Sequence, residues 1–221
     1  MPADEHDGET AMRVMLVGAT GLVGRQVLAG LQSEPRVAAI VAPTRRPLPG
    51  VATKVHNPVV DFDALPADAD WWRVDAVICT LGTTIRDAGS QAAFRRVDFD
   101  YPLQVARLAH AHGARHYALN SAMGADARSR FFYNRVKGEL EAALDAVGFD
   151  ALLLVRPGLI GGERATVRPG ERIAGAVLGA LAPVLPRRYR INPAARIAAA
   201  LIDGVVAPRP GRHVVPSDAL V

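Results

Sequence analysis

In Met12-Arg-Val-Met-Leu-Val-Gly18-Ala-Thr-Gly21-Leu-Val-Gly24, an apolar strand-forming run passes through three glycines directly into a helical pattern. That succession reads as the first strand and turn of a nucleotide-binding fold. A Cβ at Gly18 or Gly21 would obstruct the tight turn or the approach of a pyrophosphate, and one at Gly24 would push the helix off the strand. Phosphates would then meet free N–H groups at the helix N-terminus, where the peptide dipoles favour negative charge.

Outward from this turn, helical and extended patterns alternate. A first helix is expected from Leu22 to Gln32, a second strand over Arg36–Ala42, a weaker third strand ending at Val59-Val60-Asp61, and a fourth over Asp75–Cys79. A long helical pattern runs from Gln91 to Ala111, with Pro102 marking a kink or restart, and the strand His116–Leu119 follows. A helix over Arg130–Val147 leads into the strand Ala151–Val155. The tail carries helical stretches at Ile173–Leu181 and Ala194–Val206 and a short strand at His213–Val215. Strands that alternate with helices and are apolar on both faces predict an α/β, Rossmann-type doubly wound parallel sheet. The expected organisation is one domain over 12–221, in which about 160–221 forms a small substrate-side region.

Composition limits the alternatives. The chain has 221 residues, half of them apolar, enough for one sizeable core. Residues 1–11 hold Asp4, Glu5, Asp7 and Glu9 with little apolar content, and read as a disordered leader rather than a signal peptide. No segment reaches membrane-spanning length, so a soluble, cytoplasmic protein without a membrane partner is expected. A net charge of +4 and a pI near 9.7 do not make a nucleic-acid binder, because the basic residues are scattered among acids and aromatics are few. The single Cys79 excludes an internal disulfide and reads as a buried structural thiol. His110 and His112 lack ligand spacing and acidic company, so no metal site is expected.

The chemistry concentrates at a few positions. Thr44-Arg45-Arg46 follows the second strand, where NAD-specific folds place an acid for the ribose hydroxyls; two guanidiniums suit a 2′-phosphate, and a solvated basic loop is the alternative. Asp61-Phe62 frames an adenine or is a capping acid with a core ring. The turn Leu81-Gly82-Thr83-Thr84 follows the fourth strand and is placed to pass beneath a cofactor. Tyr133 and Lys137 stand one helical turn apart on one face, so the ammonium is expected to lower the phenol's pKa and let it exchange a proton with a substrate oxygen. Ser121, just after the preceding strand, is a candidate to hydrogen-bond the same oxygen. The loop Arg187-Arg188-Tyr189-Arg190 reads as solvated rather than as a contact for an acidic substrate.

Taken together these residues resemble an atypical short-chain dehydrogenase/reductase, and more closely its Tat-interacting-protein branch. The glycine spacing Gly-x-x-Gly-x-x-Gly points the same way. The match runs through Gly18-Ala-Thr-Gly21, Arg45-Arg46, Val60-Asp61-Phe62, Cys79-Thr-Leu-Gly-Thr-Thr84, Tyr133 to Lys137 with Gly138-Glu139, Arg156-Pro157-Gly158 and Arg168-Pro169-Gly170-Glu171. The resemblance implies NADP(H) bound along Thr20, Gly21, Leu22, Val23, Gly24, Arg45, Arg46, Leu81 and Gly82, with Tyr133 as proton acceptor and Lys137 on the ribose. It also implies that Pro157, Ile160 and Arg168 contribute to the cofactor site, the last two near its reactive end. Asn120-Ser121-Ala122 departs from the Ser-Ser pair common in the family, leaving Ser121 as the one hydroxyl candidate there. The implied activity is hydride transfer between nicotinamide and a small carbonyl or alcohol. A cofactor-sensing regulator acting through a protein partner and a sugar-nucleotide epimerase or dehydratase are the alternatives, and a homodimer fits any of them.

Overall fold

The structure is a computed structural model that describes residues 11–161 and 186–221. In chain order its strands are β1 (Met12–Val17), β2 (Val37–Val41), β3 (Val55–His56), β4 (Ala76–Cys79), β5 (His116–Asn120), β6 (Ala151–Arg156), β7 (Ile160–Gly161), β8 (Asn192–Pro193) and β9 (Gly211–Pro216). The helices are α1 (Leu22–Ser33), α2 (Ile85–Ala88), α3 (Gln91–Arg95), α4 (Tyr101–Ala111), α5 (Phe132–Asp145) and α6 (Ala194–Val206). Seven strands form one parallel sheet in the order β3-β2-β1-β4-β5-β6-β9, and β7 pairs with β8 in a separate two-stranded ribbon. This is the expected Rossmann-type domain. The strand order reverses between β1 and β4, which opens a crevice beyond their carboxyl ends.

Burial follows the pleat. Val14 and Leu16 of β1 face one core with α1 and α6, whereas Met15 and Val17 face the other with α4 and α5. Both faces are covered, which is why β1, β4 and β6 are apolar nearly throughout. Cys79 is fully buried at the end of β4.

Two elements depart from the sequence expectation. The third strand lies at Val55–His56, ahead of the expected Val59–Asp61 end, and Val59 makes only an isolated bridge to Thr44. Pro58 explains the break, because it has no N–H to give to a ladder. The pattern over Gln91–Ala111 is divided into α3, a π-helical turn over Arg96–Asp100, and α4. Pro102 sits in the first turn of α4, and the Tyr101 N–H bonds the Arg96 carbonyl across the widened turn. The wide turn carries the Asp98 side chain into the interior.

Much of the region beyond 160 belongs to the body of the domain: α6 packs on α1, and β9 is the sheet's seventh strand. The expected helix at 173–181 and Arg168 lie outside the described residues. What stands past the carboxyl end of β6 is the β7–β8 ribbon, held by the buried Asn192. Its Oδ1 accepts the Gly158 N–H at 2.7 Å and the Ser217 hydroxyl at 2.9 Å.

The glycine turn is tight for two separate reasons. Gly18 has φ +90°, and a Cβ there would stand 2.7 Å from Thr80 and Leu81 atoms. At Gly24 a Cβ would fall 2.0 Å from the Gly18 carbonyl oxygen, so α1 can approach the strand only without a side chain. Gly24→Ala is therefore expected to destabilise despite alanine's better helix propensity, by about 1–3 kcal/mol of overpacking. Thermal denaturation checks it, with a fall in Tm of about 2–4 °C per kcal/mol.

Candidate functional site

The crevice at the reversal of strand order holds two adjoining cavities that share Leu81. The larger, about 810 Å³, is lined by Gly21, Leu22 and Val23 at the start of α1, by Leu81, Gly82 and Thr83 after β4, and by Asn120, Ser121, Tyr133, Lys137 and Ile160 on the far side. The smaller, about 300 Å³, is lined by Gly18, Thr20, Thr44, Arg45, Arg46, Phe62 and Leu81. Residues from distant parts of the chain thus converge on one crevice.

The near end of this crevice suits an anion. Gly21 caps α1 with no side-chain hydrogen bond, and no acid stands in the first turn. A Cβ at Gly21 would meet no protein atom nearer than 3.4 Å, so protein packing does not require glycine there. The remaining reason is close approach of something outside the protein, which fits a dinucleotide's phosphates on the first-turn N–H groups. Arg45 and Arg46 are exposed, and neither guanidinium is ion-paired among the described residues. Asp61 turns out to cap its own loop, accepting the Asp63 N–H at 2.9 Å, while Phe62 is both a core ring beside Tyr101 and a wall of the smaller cavity. Pro157 is buried, and its carbonyl accepts the Met123 N–H at 2.8 Å; it does not line either cavity.

At the far end, α5 presents Tyr133 and Lys137. Tyr133 is partly exposed and its ring packs on the buried Phe94, with centroids 5.6 Å apart. Lys137 is buried, and its Nζ stands 2.7 Å from Asp98 Oδ1 in an ion pair hidden from solvent. The other carboxylate oxygen of Asp98 accepts the Thr83 N–H at 2.8 Å. Burial is the largest influence and pulls the Lys137 pKa down, but Asp98, by charge and hydrogen bond, and Tyr133 together outweigh it and hold the ammonium above its ordinary value. Burial pushes the Tyr133 phenol up; Lys137 pulls it down and Asp98 pushes it up, so it lies above its ordinary value. This corrects the expected lowering: the cation is present and pulls the phenol down, but burial of the ring, with a smaller push from Asp98, outweighs it.

Ser121 lines the cavity, yet its hydroxyl donates to Glu141 Oε1 at 2.6 Å. Glu141 is itself buried, gripped by both ends of the Arg156 guanidinium and approached by Arg212 at 3.4 Å. Asn120 lines the same wall with its Oδ1 buried and unpartnered. Asp98, Asn120 and Glu141 were not identified from sequence. Asp98 is embedded in a helical pattern among other charges, and only the neighbouring Pro102 hinted that the helix is irregular there.

No protein-family profile matches the chain. Among curated proteins it is 36% identical over 203 residues to HTATIP2 of Rattus norvegicus, covering 90% of this chain and 83% of the relative. It is 34% identical over 180 residues to the mitochondrial protein fmp52 of Emericella nidulans, covering 77% and 76%. The chain belongs to the HTATIP2 branch of atypical short-chain dehydrogenases. Solved structures similar in fold include MoeE5 in complex with UDP-glucose and NAD, with TM-score 0.70 and 15% identity over 92% of this chain and 75% of that one. A short-chain dehydrogenase/reductase superfamily protein from Agrobacterium tumefaciens with bound NAD gives TM-score 0.65 and 15% identity over 92% and 77%. At such identities the likeness concerns the fold.

The fungal relatives overturn the cytoplasmic expectation, since fmp52 of Emericella nidulans and of Aspergillus niger are both named mitochondrial. That expectation rested on the lack of a membrane-length segment, and among the described residues no helix is long and apolar enough to cross a membrane. Such a lack carries no information about the organelle.

The open space at Gly21 gives a separable test. Gly21→Ala is expected to keep the fold, losing less than about 1 kcal/mol as a poorer N-cap. It should weaken nicotinamide dinucleotide binding at least about tenfold by fluorescence titration, because the methyl group intrudes on phosphates approaching the helix N-terminus.

Proposed function

We propose that the chain is an NADP(H)-dependent oxidoreductase that interconverts a small carbonyl compound and its alcohol. The observation that carries this reading is the single crevice with uncapped helix N–H groups and unpaired arginines at one end and a Tyr-Lys pair at the other. The nicotinamide cofactor, when bound, supplies or accepts the hydride. The protein's own residues do the rest. The α1 N-terminus holds phosphates, Arg45 and Arg46 hold a 2′-phosphate, and Leu81 to Thr83 form the floor. Tyr133 moves a proton at the substrate oxygen, Lys137 secures the ribose side of the site, and Ile160 closes the far wall.

Cofactor choice follows from Arg45 and Arg46. NADPH is expected to bind more tightly than NADH, and the double variant Arg45→Ala/Arg46→Ala to lose most of that preference. A charge-assisted contact of about 1.5–3 kcal/mol corresponds to roughly tenfold to a hundredfold in affinity. Fluorescence titration with both cofactors measures it, and equal binding by the parent protein would remove the basis for NADP(H).

The proton step gives a second test. In a screen of carbonyl substrates followed by NADPH absorbance, Tyr133→Phe should lower kcat by about a hundredfold or more while leaving NADPH affinity near the parent value. Lys137→Ala should damage both. Tight NADPH binding with no turnover by the parent across the screen would instead favour a cofactor-sensing regulator.

A further inference from the structure

Asp98 has an unusual place for a carboxylate. It is 1% exposed, sits in the π-helical turn between α3 and α4, and reaches the cleft between Thr83 and Lys137. Single π-turns inside helices recur at functional sites, because the extra residue redirects side chains that a regular helix would send elsewhere. A buried ion pair is a poor route to stability, since desolvation offsets most of the attraction. The wide turn and the pair therefore ask for another explanation, and the neighbour of Lys137 in the cleft is Tyr133.

We propose that Asp98 is a positioning residue that takes up the charge of Lys137, so that Tyr133 meets the substrate as a proton donor to a carbonyl oxygen. This rests on the oxidoreductase reading above and adds the form in which the site works. In the proton step the Tyr133 O–H bond breaks as a new O–H bond forms on the substrate oxygen. The hydride that completes the alcohol would be supplied by a reduced nicotinamide held in the crevice, which would leave oxidised, and water returns a proton to the phenolate.

The surroundings of Tyr133 support this. Phe94 from α3 covers the ring and offers no charge. Arg25 of α1 and Asp87 of α2 line the same cleft, and Cys79 of β4 adds to the field at Lys137. Farther along α5, Glu139 is already paired with Arg95. The charges acting directly on the phenol are Lys137, which favours its ionised form, and Asp98, which opposes that form.

The test reads Tyr133 itself and needs no turnover. With tyrosine isotope-labelled at the phenol carbon, the Tyr133 resonance is assigned by its loss in Tyr133→Phe, and its titration is followed by NMR in the parent, Asp98→Asn and Asp98→Glu. Asparagine removes the charge and keeps one oxygen for the Thr83 N–H, while its NH2 group replaces the oxygen that faces Lys137. Asp98→Asn is expected to move the Tyr133 titration down by about one pH unit or more, and Asp98→Glu to leave it close to the parent. The resonances of Tyr101 and Tyr117 report in the same spectra whether the variants remain folded. If Asp98→Asn does not fold, the pair is replaced as a whole in Asp98→Leu/Lys137→Met: with both charges gone, the Tyr133 titration is expected to stay within about one pH unit of the parent if Asp98 already cancels most of the ammonium's charge. An unchanged or upward titration in folded Asp98→Asn, or a rise of one unit or more in the double variant, overturns the proposal. Where a carbonyl substrate has been found, the alkaline fall of its reduction rate should move down with the titration in Asp98→Asn. Failure to find any turnover speaks against the oxidoreductase reading and leaves the NMR result to decide the role of Asp98.

Discussion

The close approach of α1 to the ends of β1 and β4 governs the rest of the molecule. Thr80 follows β4, and its hydroxyl donates toward the Val17 and Gly18 carbonyls at 3.1 Å each, while its N–H bonds the Val17 carbonyl at 2.8 Å. Gly24 lies against the same Gly18 carbonyl from the helix side. A strand end, a turn and a helix start are therefore fixed to one another where the strand order reverses. The first N–H groups of α1 are held at the mouth of the crevice, and Leu81 to Thr83 emerge at a fixed height beneath it. From there Thr83 reaches Asp98, and Asp98 reaches Lys137. The helix-start end of the crevice and its Tyr-Lys end are thus joined through hydrogen-bonded backbone and one buried carboxylate rather than through a flexible loop.

This geometry explains what could be read from the chain and what could not. The strand, turn and first helix were legible because Gly18 and Gly24 answer local demands of the turn and the helix packing, and the parallel sheet because its strands are apolar on both faces. Tyr133 and Lys137 were legible because four residues on one helix fix their relation without any knowledge of the fold. The third strand was misplaced because β-propensity around Val59 competes with Pro58, and the missing N–H decides. Asp98 and Glu141 left no signal, since each acts on partners brought near only by packing: Asp98 on Thr83 and Lys137, Glu141 on Ser121, Arg156 and Arg212. The direction of the Tyr133 shift failed for the same reason, because an ammonium read from sequence carries no indication of how deeply packing buries the phenol, nor of the carboxylate paired with the cation.

Two buried carboxylates therefore stand behind one wall of the crevice, and both are paired with cations. Removing either partner of such a pair costs about 3–5 kcal/mol, whereas replacing the whole pair with well-packed apolar groups is often neutral or better. Their presence is not explained by stability. What they share is a neighbour that lines the crevice, Ser121 for Glu141 and Lys137 for Asp98. Each carboxylate settles how that neighbour's polar group is spent.

The consequence for Ser121 follows from counting hydrogens. A hydroxyl has one, and here it is given to Glu141, whose oxygens are flanked by Arg156 and Arg212. Toward the cavity Ser121 then offers lone pairs only, and it can accept a hydrogen bond but not polarise a carbonyl. A protonated Tyr133 is the complementary group, able to donate. A carbonyl oxygen placed between them finds its donor in Tyr133 alone, and once it has become a hydroxyl it can turn its new hydrogen toward Ser121. Under the proposed reaction the same two side chains would hold the oxidised and reduced forms of a substrate through different bonds, with the direction of each bond set by a carboxylate buried one layer behind.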